Sequence, residues 1–144
     1  MSTENEAIEK ALQSKTIAVV GLSSNPDRPS YDVASYLKSH GYRIVPVNPT
    51  ISEVLGEKSY KSLQDLPDQL KREIEVVDIF RRPEDIPPIV EEAVQLHSSS
   101  GNPKVVWMQL GIVNEAAAQA ARKAGMDVVM DRCMKIEHGK LSRR

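Results

Sequence analysis

Residues suited to binding an anion follow the apolar runs of this sequence, where strands would end. The first run, residues 16–20, leads into a loop that begins with Gly21 and contains Arg28. A glycine lets backbone approach an anion, and the free amides and dipole of a helix N-terminus favour negative charge. A later run is followed by Arg81 and Arg82, and guanidinium groups suit a phosphate. The spacing therefore favours a phosphate-binding cleft.

The loop after the first run, residues 21–31, is the candidate for the phosphate-facing side of this cleft. Ser30 is predicted to cap the helix that follows, because a serine hydroxyl accepts a hydrogen bond from an unpaired amide of the first turn. The loop lacks the G-x-G-x-x-G pattern of dinucleotide-binding folds. A polar loop with a capping serine is the alternative interpretation.

The segment after the second apolar run is Pro46-Val-Asn48-Pro49. NAD-binding folds normally place an acid near this position, where it takes the ribose hydroxyls. The missing acid argues against a dinucleotide more strongly than the incomplete glycine pattern does. The prolines stiffen the segment, and Asn48 is either a hydrogen-bonding partner for a ribose or base or part of a rigid turn.

Phe80 is the single phenylalanine and stands directly before the two arginines. It is predicted either to pack against an adenine face or to lie in the core. In the second case the arginines pair with Glu84 or Asp85 on the surface.

The last two apolar runs add further candidates. Gln109 and Gly111 come at the end of one run and are predicted to line a cleft, whereas Trp107 within it is expected in the core. Cys133 follows the last run. It is a buried small side chain, an exposed thiol or a partner for a ligand thiol.

No arrangement of residues indicates catalysis. No Ser–His–Asp set stands out, and no paired carboxylates converge on the predicted strand ends. His40, His97 and His138 lack metal-ligand spacing and are expected on the surface. A single cysteine excludes an internal disulfide and a zinc site of clustered cysteines. The residues indicate a binding pocket without evident catalytic machinery.

Composition excludes several classes of function. The 144 residues include 19 Lys and Arg against 20 Asp and Glu, a formal net charge of −1. This balance argues against a basic nucleic-acid-binding face. No apolar run approaches the roughly 20 residues of a membrane-spanning helix, and the polar N-terminus does not resemble a signal peptide. A reducing, cytoplasmic location is expected from the lone cysteine.

Strand and helix patterns alternate along the chain. Nearly continuous β-branched runs fit parallel strands buried on both faces, and they span residues 16–21, 43–47, 76–80, 105–109 and 127–131. Helical spacing of apolar residues predicts helices at residues 4–13, 33–40, 86–96 and 115–124, with a shorter one within 63–71. The alternation predicts an α/β fold, a doubly wound parallel sheet with helices on both faces. Such folds bind ligands outside the carboxyl ends of their strands.

The ordered set of segments G-L-S-S-N-P-x-R-P-S-Y, P-V-N-P, L-G, F-R-R-P, W-M-Q-L-G-I and D-R-C resembles the small stand-alone CoA-binding proteins. These proteins are similar to the CoA-binding domain of the succinyl-CoA synthetase alpha subunit. The resemblance implies a Rossmann-like sheet of five parallel strands that binds coenzyme A along its carboxyl edge. The synthetase's phosphorylated-histidine segment has no counterpart in this chain, so the resemblance does not extend to ligase activity.

The resemblance also implies roles for individual residues. The loop after the first strand would face the phosphates, and the Pro46-Val-Asn48-Pro49 segment would border the nucleotide. Phe80 and Arg81 would flank the adenosine, with Arg82 nearby. Gln109 and Gly111 would lie toward the pantetheine arm. The complete set of candidate cofactor-binding residues is Gly21, Ser23, Ser24, Asn25, Arg28, Ser30, Tyr31, Pro46, Asn48, Pro49, Phe80, Arg81, Arg82, Gln109 and Gly111.

The sequence therefore predicts a protein that binds coenzyme A or a short acyl-CoA, as a carrier or a regulatory module. The alternatives are an enzyme acting on acyl-CoA, such as a thioesterase or transferase, and an NAD(P)-dependent oxidoreductase. We expect residues 1–14 to form a helix that packs on the domain, residues 15–137 to form the CoA-binding domain and residues 138–144 to form a polar, mobile tail. No membrane or nucleic-acid partner is expected, and the sequence does not identify a protein partner.

Overall fold

The computed structural model describes residues 3–141, in which strands and helices alternate. The strands are β1 (Thr16–Val20), β2 (Arg43–Val47), β3 (Glu53–Val54), β4 (Glu57–Lys58), β5 (Val76–Ile79), β6 (Val105–Met108) and β7 (Asp127–Val129). The helices are α1 (Glu4–Leu12), α2 (Pro29–Ser39), α3 (Asp68–Glu73), α4 (Ile86–Ser100), α5 (Glu115–Lys123) and α6 (Met134–Leu141), with a 3₁₀ turn (Pro83–Asp85) before α4.

Five of the strands form one parallel sheet in the order β2-β1-β5-β6-β7, while β3 and β4 form a small antiparallel hairpin. The chain starts at β1, adds β2 on one side, and then crosses over to add β5 on the other. The strand order therefore reverses between β1 and β5. This reversal point is where open α/β sheets bind their ligands.

Helices cover both faces of the sheet, which confirms the predicted Rossmann-like, doubly wound fold. One apolar cluster joins α3, α4 and α5 to alternate strand residues such as Val77 and Val106. The other joins α1, α2 and α6 to the intervening residues, including Val19 and Trp107. Every residue of β1 is buried. This two-sided burial explains why the strands are continuous β-branched runs without polar alternation.

The short N-terminal helix is confirmed as α1. Thr3 and Glu6 form a reciprocal capping box at its start, which satisfies two amides that would otherwise lack partners. The predicted apolar stripe is buried against the sheet: Ala7, Ile8, Ala11 and Leu12.

The structure differs from the sequence prediction at the C-terminus. Residues 138–141, predicted to begin a polar tail, belong to α6, and residues 142–144 lie outside the described part of the chain. His138 lies within 2.8 Å (Nδ1) of the Tyr36 hydroxyl on α2, and its ring is 5.1 Å from that of His40. Burial, and then the neighbouring His40, lower the pKa of His138. Of the three histidines His40 is exposed, as predicted, whereas His97 and His138 are half-buried.

Candidate functional site

A cavity of about 560 Å³ opens at the carboxyl edge of the sheet, at the reversal point between β1 and β5. Several predicted site residues line it together: Gly21, Ser23, Arg28, Ser30, Phe80, Arg81, Arg82 and Gln109. The other predicted residues lie outside this lining, although Pro49 lines a smaller neighbouring cavity.

Gly21 directly follows β1 and lies against the backbone of Phe80, which directly follows β5. Its φ is +88°, and a Cβ at this position would lie 2.3 Å from the carbonyl oxygen of Phe80. Its N–H donates to the Val47 carbonyl at 2.8 Å, which continues the pairing of β1 with β2. The close approach that requires a glycine is therefore made by the protein's own backbone, in addition to any approach by a ligand.

Ser30 is not the N-cap of α2, contrary to the prediction. The cap position is Arg28, Pro29 starts the helix, and Ser30 is buried inside the first turn. The Ser30 hydroxyl accepts a hydrogen bond from the Ser23 N–H (2.9 Å), so it acts across the loop instead of on its own helix. Proline suits the first helical position because its missing N–H would have no partner there.

The remaining polar residues of this loop organise its backbone. The Ser23 hydroxyl accepts from the Asn25 N–H and the Asn25 side-chain oxygen accepts from the Asp27 N–H, each at 3.0 Å. Ser24 and Asn25 are exposed and do not line the cavity, and Tyr31 is half-buried beside it. The loop therefore holds the N-terminus of α2 toward the cavity, where its dipole favours an anion.

The three arginines occupy different electrostatic situations. Arg82 is 76% exposed, and its Nε lies 3.3 Å from Glu84 and 3.2 Å from Asp85, as the surface-pairing interpretation predicts. Within residues 3–141, Arg28 and Arg81 have no ion-pair partner. Their charges are therefore available to an anion in the cavity.

Arg81 lines both cavities and so lies at their junction. The second cavity, about 210 Å³, is also lined by Pro49, Leu63 and Lys61. Lys61 is a cation that the sequence prediction missed, because it lies in the irregular segment between β4 and α3. The two cavities form a path along the edge from the end of β2 to the end of β6.

Asn48 stabilises a rigid turn, which was the second of its two predicted roles. Its Nδ2 donates to the Leu22 carbonyl at 2.9 Å, and its Oδ1 accepts from the N–H (2.9 Å) and hydroxyl (2.8 Å) of Thr50. Pro46 is buried within β2. These two residues shape the wall next to Pro49, and the Asn48 side chain already has protein partners for both of its polar atoms.

Gln109 directly follows β6, lines the cavity and is 4% exposed. Its Oε1 accepts from the Met134 N–H at 3.1 Å, which ties β6 to the start of α6. Gly111 points its N–H at Asp131 Oδ1 (2.6 Å) and lies outside the lining, whereas its neighbours Leu110 and Ile112 line the cavity. The sequence prediction missed Leu110 and Ile112 as cavity residues, because a Leu-Gly-Ile segment has no polar side chain to indicate a site.

The side chains of Trp107 and Cys133 differ in burial. Trp107 is fully buried, as predicted, and its indole N–H donates to the Arg132 carbonyl at 2.8 Å. Cys133 is a half-buried free thiol that packs against the apolar cluster of α1, α2 and α6 and also lines the cavity, so it is neither fully buried nor fully exposed.

Asp78 is a buried ionisable residue of β5 that the sequence prediction passed over. It lies in β5 on the same face as Phe80, is completely buried, and neither carboxyl oxygen has a partner within residues 3–141. Its strand neighbours are Val19 and Trp107. Burial raises the pKa of this carboxyl well above its ordinary value. Within the described residues no group of three or more potential metal ligands occurs.

The fold and the cavity define a Rossmann-like α/β protein with an open cavity at the reversal point of its parallel sheet, where folds of this class bind their ligands. Residues 15–139 match the CoA binding domain family, and the chain belongs to this family. The predicted resemblance to CoA-binding proteins is thereby confirmed. None of the helices described has the length and hydropathy needed to cross a membrane.

Two relatives match this chain over nearly their whole length. The uncharacterized protein YneT of Bacillus subtilis is 43% identical over 132 residues, which cover 91% of each protein. A hypothetical protein of Pyrococcus horikoshii is 40% identical, and its structure covers 98% of this chain and 93% of its own, with a TM-score of 0.85.

Larger relatives match only through one region. The ADP-forming acetate–CoA ligase II of Archaeoglobus fulgidus is 31% identical over 83 residues, which are 56% of this chain and 12% of the ligase. An acetyl-coenzyme A synthetase of Ca. Korarchaeum cryptofilum shares the fold at 22% identity, with a TM-score of 0.69 over 86% of this chain and 28% of its own. These relatives do not test the resemblance to the succinyl-CoA synthetase alpha subunit, which stays a prediction.

Proposed function

We propose that this protein binds coenzyme A or a short acyl-CoA along the carboxyl edge of its sheet, as a carrier or regulatory module. The observation that carries the proposal is the cavity between the N-terminus of α2 and Arg81, in which Arg28 and Arg81 lack ion-pair partners within residues 3–141. CoA has a diphosphate and a 3′-phosphate, so it needs several cations and amides in one cleft. Family membership supports the same ligand.

The order of the strands suggests how the ligand lies. The adenosine would occupy the smaller cavity beside Pro49 and Lys61, the phosphates would lie between Arg81 and the N-terminus of α2, and the pantetheine arm would extend past Gln109. Five strands spaced at about 4.8 Å give an edge roughly 19 Å long. A nucleotide with a long arm suits such an edge better than a nucleotide alone. We place the protein in the cytoplasm, which suits its free thiol.

Calorimetric titration with CoA and dephospho-CoA tests the proposal. A charge-assisted contact contributes about 1.5–3 kcal/mol before desolvation costs, so Arg28→Ala and Arg81→Ala should each weaken CoA binding by about tenfold. Arg43→Ala is the matched control, since it removes the same charge at the opposite edge of the sheet, where Arg43 pairs with Glu73. Failure of both ligands to bind below the millimolar range would reject the proposal, and unchanged affinity in both test variants would reject the pocket assignment.

The lone thiol gives an independent measure of occupancy. Acetyl-CoA should slow alkylation of Cys133 by iodoacetamide about tenfold at ten times its Kd, because the pantetheine arm of the bound ligand would cover the thiol at the cavity wall. Intact-mass analysis reads the reaction directly, since the chain has one cysteine. Adenosine 3′,5′-bisphosphate, which lacks the pantetheine arm, is the control and should leave the rate unchanged. Equal rates with and without acetyl-CoA would contradict the proposed path of the arm.

A further inference from the structure

The loop between β6 and α5 places the apolar side chain of Leu110 at the cavity, and hydrogen bonds hold the loop in one conformation. Leu110 is 63% exposed, more than any other large hydrophobic residue within residues 3–141. Three hydrogen bonds fix the loop around it: Gly111 N–H to Asp131 Oδ1 (2.6 Å), Ile112 N–H to the Gln109 carbonyl (2.8 Å) and Asn114 Nδ2 to the Pro83 carbonyl (2.9 Å). The loop conformation that exposes the Leu110 side chain is therefore held by these hydrogen bonds.

This loop makes one side of the cavity apolar. Leu110 and Ile112 line it after β6, whereas Arg28 at the N-terminus of α2 lines it after β1. With β5 between these strands, the two sides are two strand intervals apart, about 10 Å at 4.8 Å each. Asp32, whose carboxylate pairs with Lys135 at 3.0 Å, also lines the cavity on the α2 side. A ligand that fills the cavity therefore meets charged side chains, Arg28 among them, at one end and aliphatic side chains at the other.

Gln109 adds a directed donor beside the apolar side. Because its Oε1 is held by the Met134 N–H, its Nε2 is the group left for a ligand. Nε2 has no hydrogen-bond partner within residues 3–141, although the side chain is 4% exposed and lines the cavity. An amide N–H₂ donates, so its natural partner is a carbonyl oxygen.

We propose that the apolar side of the cavity binds the acyl chain of an acyl-CoA, with Gln109 Nε2 donating to the thioester carbonyl. The protein would then distinguish acyl-CoA from free CoA. The inference rests on the proposed function, because the acyl group is attached to the same bound CoA. A free thiol supplies neither the carbonyl for Gln109 nor the methylene groups that cover Leu110. The acyl chain is favoured over a separate apolar partner because Leu110 and Ile112 are continuous with the charged side of one cavity.

A titration series of CoA, acetyl-CoA, butyryl-CoA and hexanoyl-CoA tests this inference by calorimetry. Each methylene buried against Leu110 should tighten binding about two- to fourfold, the upper value corresponding to complete burial. The ratio of the Kd for CoA to that for hexanoyl-CoA is the decisive quantity. In the unmodified protein it should be well above one.

Two serine substitutions in the same loop separate the acyl site from general loop effects. Leu110→Ser should lower the ratio severalfold, leaving the part that Ile112 and Gln109 supply, whereas Val113→Ser should preserve it, since Val113 is also exposed (48%) but does not line the cavity. A ratio near one in the unmodified protein, or equal loss in both variants, would overturn the inference while CoA binding stands. Absence of binding by every member of the series would overturn the proposed function and the inference together.

Discussion

Gly21→Ala should destabilise the fold by about 2–5 kcal/mol and weaken the proposed binding of CoA at least tenfold. A left-handed backbone costs a residue with a Cβ roughly 1–2 kcal/mol, and forcing an extra carbon into a packed position costs about 1–3 kcal/mol more. The added Cβ would meet the Phe80 carbonyl oxygen at 2.3 Å, so the ends of β1 and β5 must separate. That movement displaces Arg81, which follows Phe80 directly. Urea unfolding measures the first effect and calorimetry the second.

Gly41→Ala is the matched control for this variant. Gly41 has a similar φ of +94°, but a Cβ there would have nothing within 4 Å, and the residue precedes β2 at the opposite edge of the sheet. It should lose about 1–2 kcal/mol from backbone strain alone and bind CoA normally. If the two variants were equally stable, the contact with Phe80 would have no energetic weight, and the close approach of β1 and β5 would not be what requires a glycine.

The order of elements could be predicted because each follows a local pattern. The β-branched runs define β1, β2, β5, β6 and β7, and helical spacing defines α1, α2, α4 and α5. Strand ends were less predictable: Phe80 and Gln109 fall just outside their strands. Ser30 shows why local rules fail there. A serine after a loop normally caps a helix, but its actual partner is Ser23, seven residues earlier.

The location of the candidate site could be predicted from the residues that follow the strands. The fold places residues that follow strands at one edge, so Arg28, Arg81 and Gln109 lie around one cavity. The sequence does not determine which arginine stays unpaired, because Arg82 reaches Glu84 and Asp85 through a turn whose geometry appears only in the structure. Leu110 escaped notice for another reason. An apolar residue is normally predicted to be buried, and its exposure depends on hydrogen bonds to distant partners.

Asp78 was the one residue whose sequence context already contained a usable signal. A lone acid inside the run V-V-D-I-F interrupts a strand predicted to be buried on both faces. Such an acid is either paired or protonated, because an unpaired buried charge is costly. The structure gives it no partner within residues 3–141. The folded protein therefore holds this carboxyl in its neutral form over part of the pH range where an exposed aspartate is ionised.

Asp78→Val should consequently stabilise the protein by about 1–3 kcal/mol near neutral pH, the usual cost of a buried polar group without a partner. Valine continues the pattern of its strand neighbour Val19 and leaves no polar atom to satisfy. The melting temperature should rise by about 2–4 °C per kcal/mol for a chain of this size. A lower melting temperature would show that the carboxyl has a stabilising partner, such as a buried water, that the valine cannot replace.

Asp78→Asn isolates the contribution of ionisation, because it keeps the size and polarity of the side chain but cannot lose a proton. In the unfolded chain an aspartate ionises near pH 3.9, while burial raises the pKa of Asp78 in the fold. Between these two pKa values the folded state binds more protons than the unfolded state, so stability falls as pH rises through that window. The difference in unfolding free energy between the wild type and Asp78→Asn should therefore favour the wild type most near pH 4 and shrink toward pH 7. Other carboxyl groups cancel in this difference. A difference that stays constant over that range would mean that Asp78 ionises at the same pH in both states, and the stabilisation expected of Asp78→Val would then have to come from packing alone.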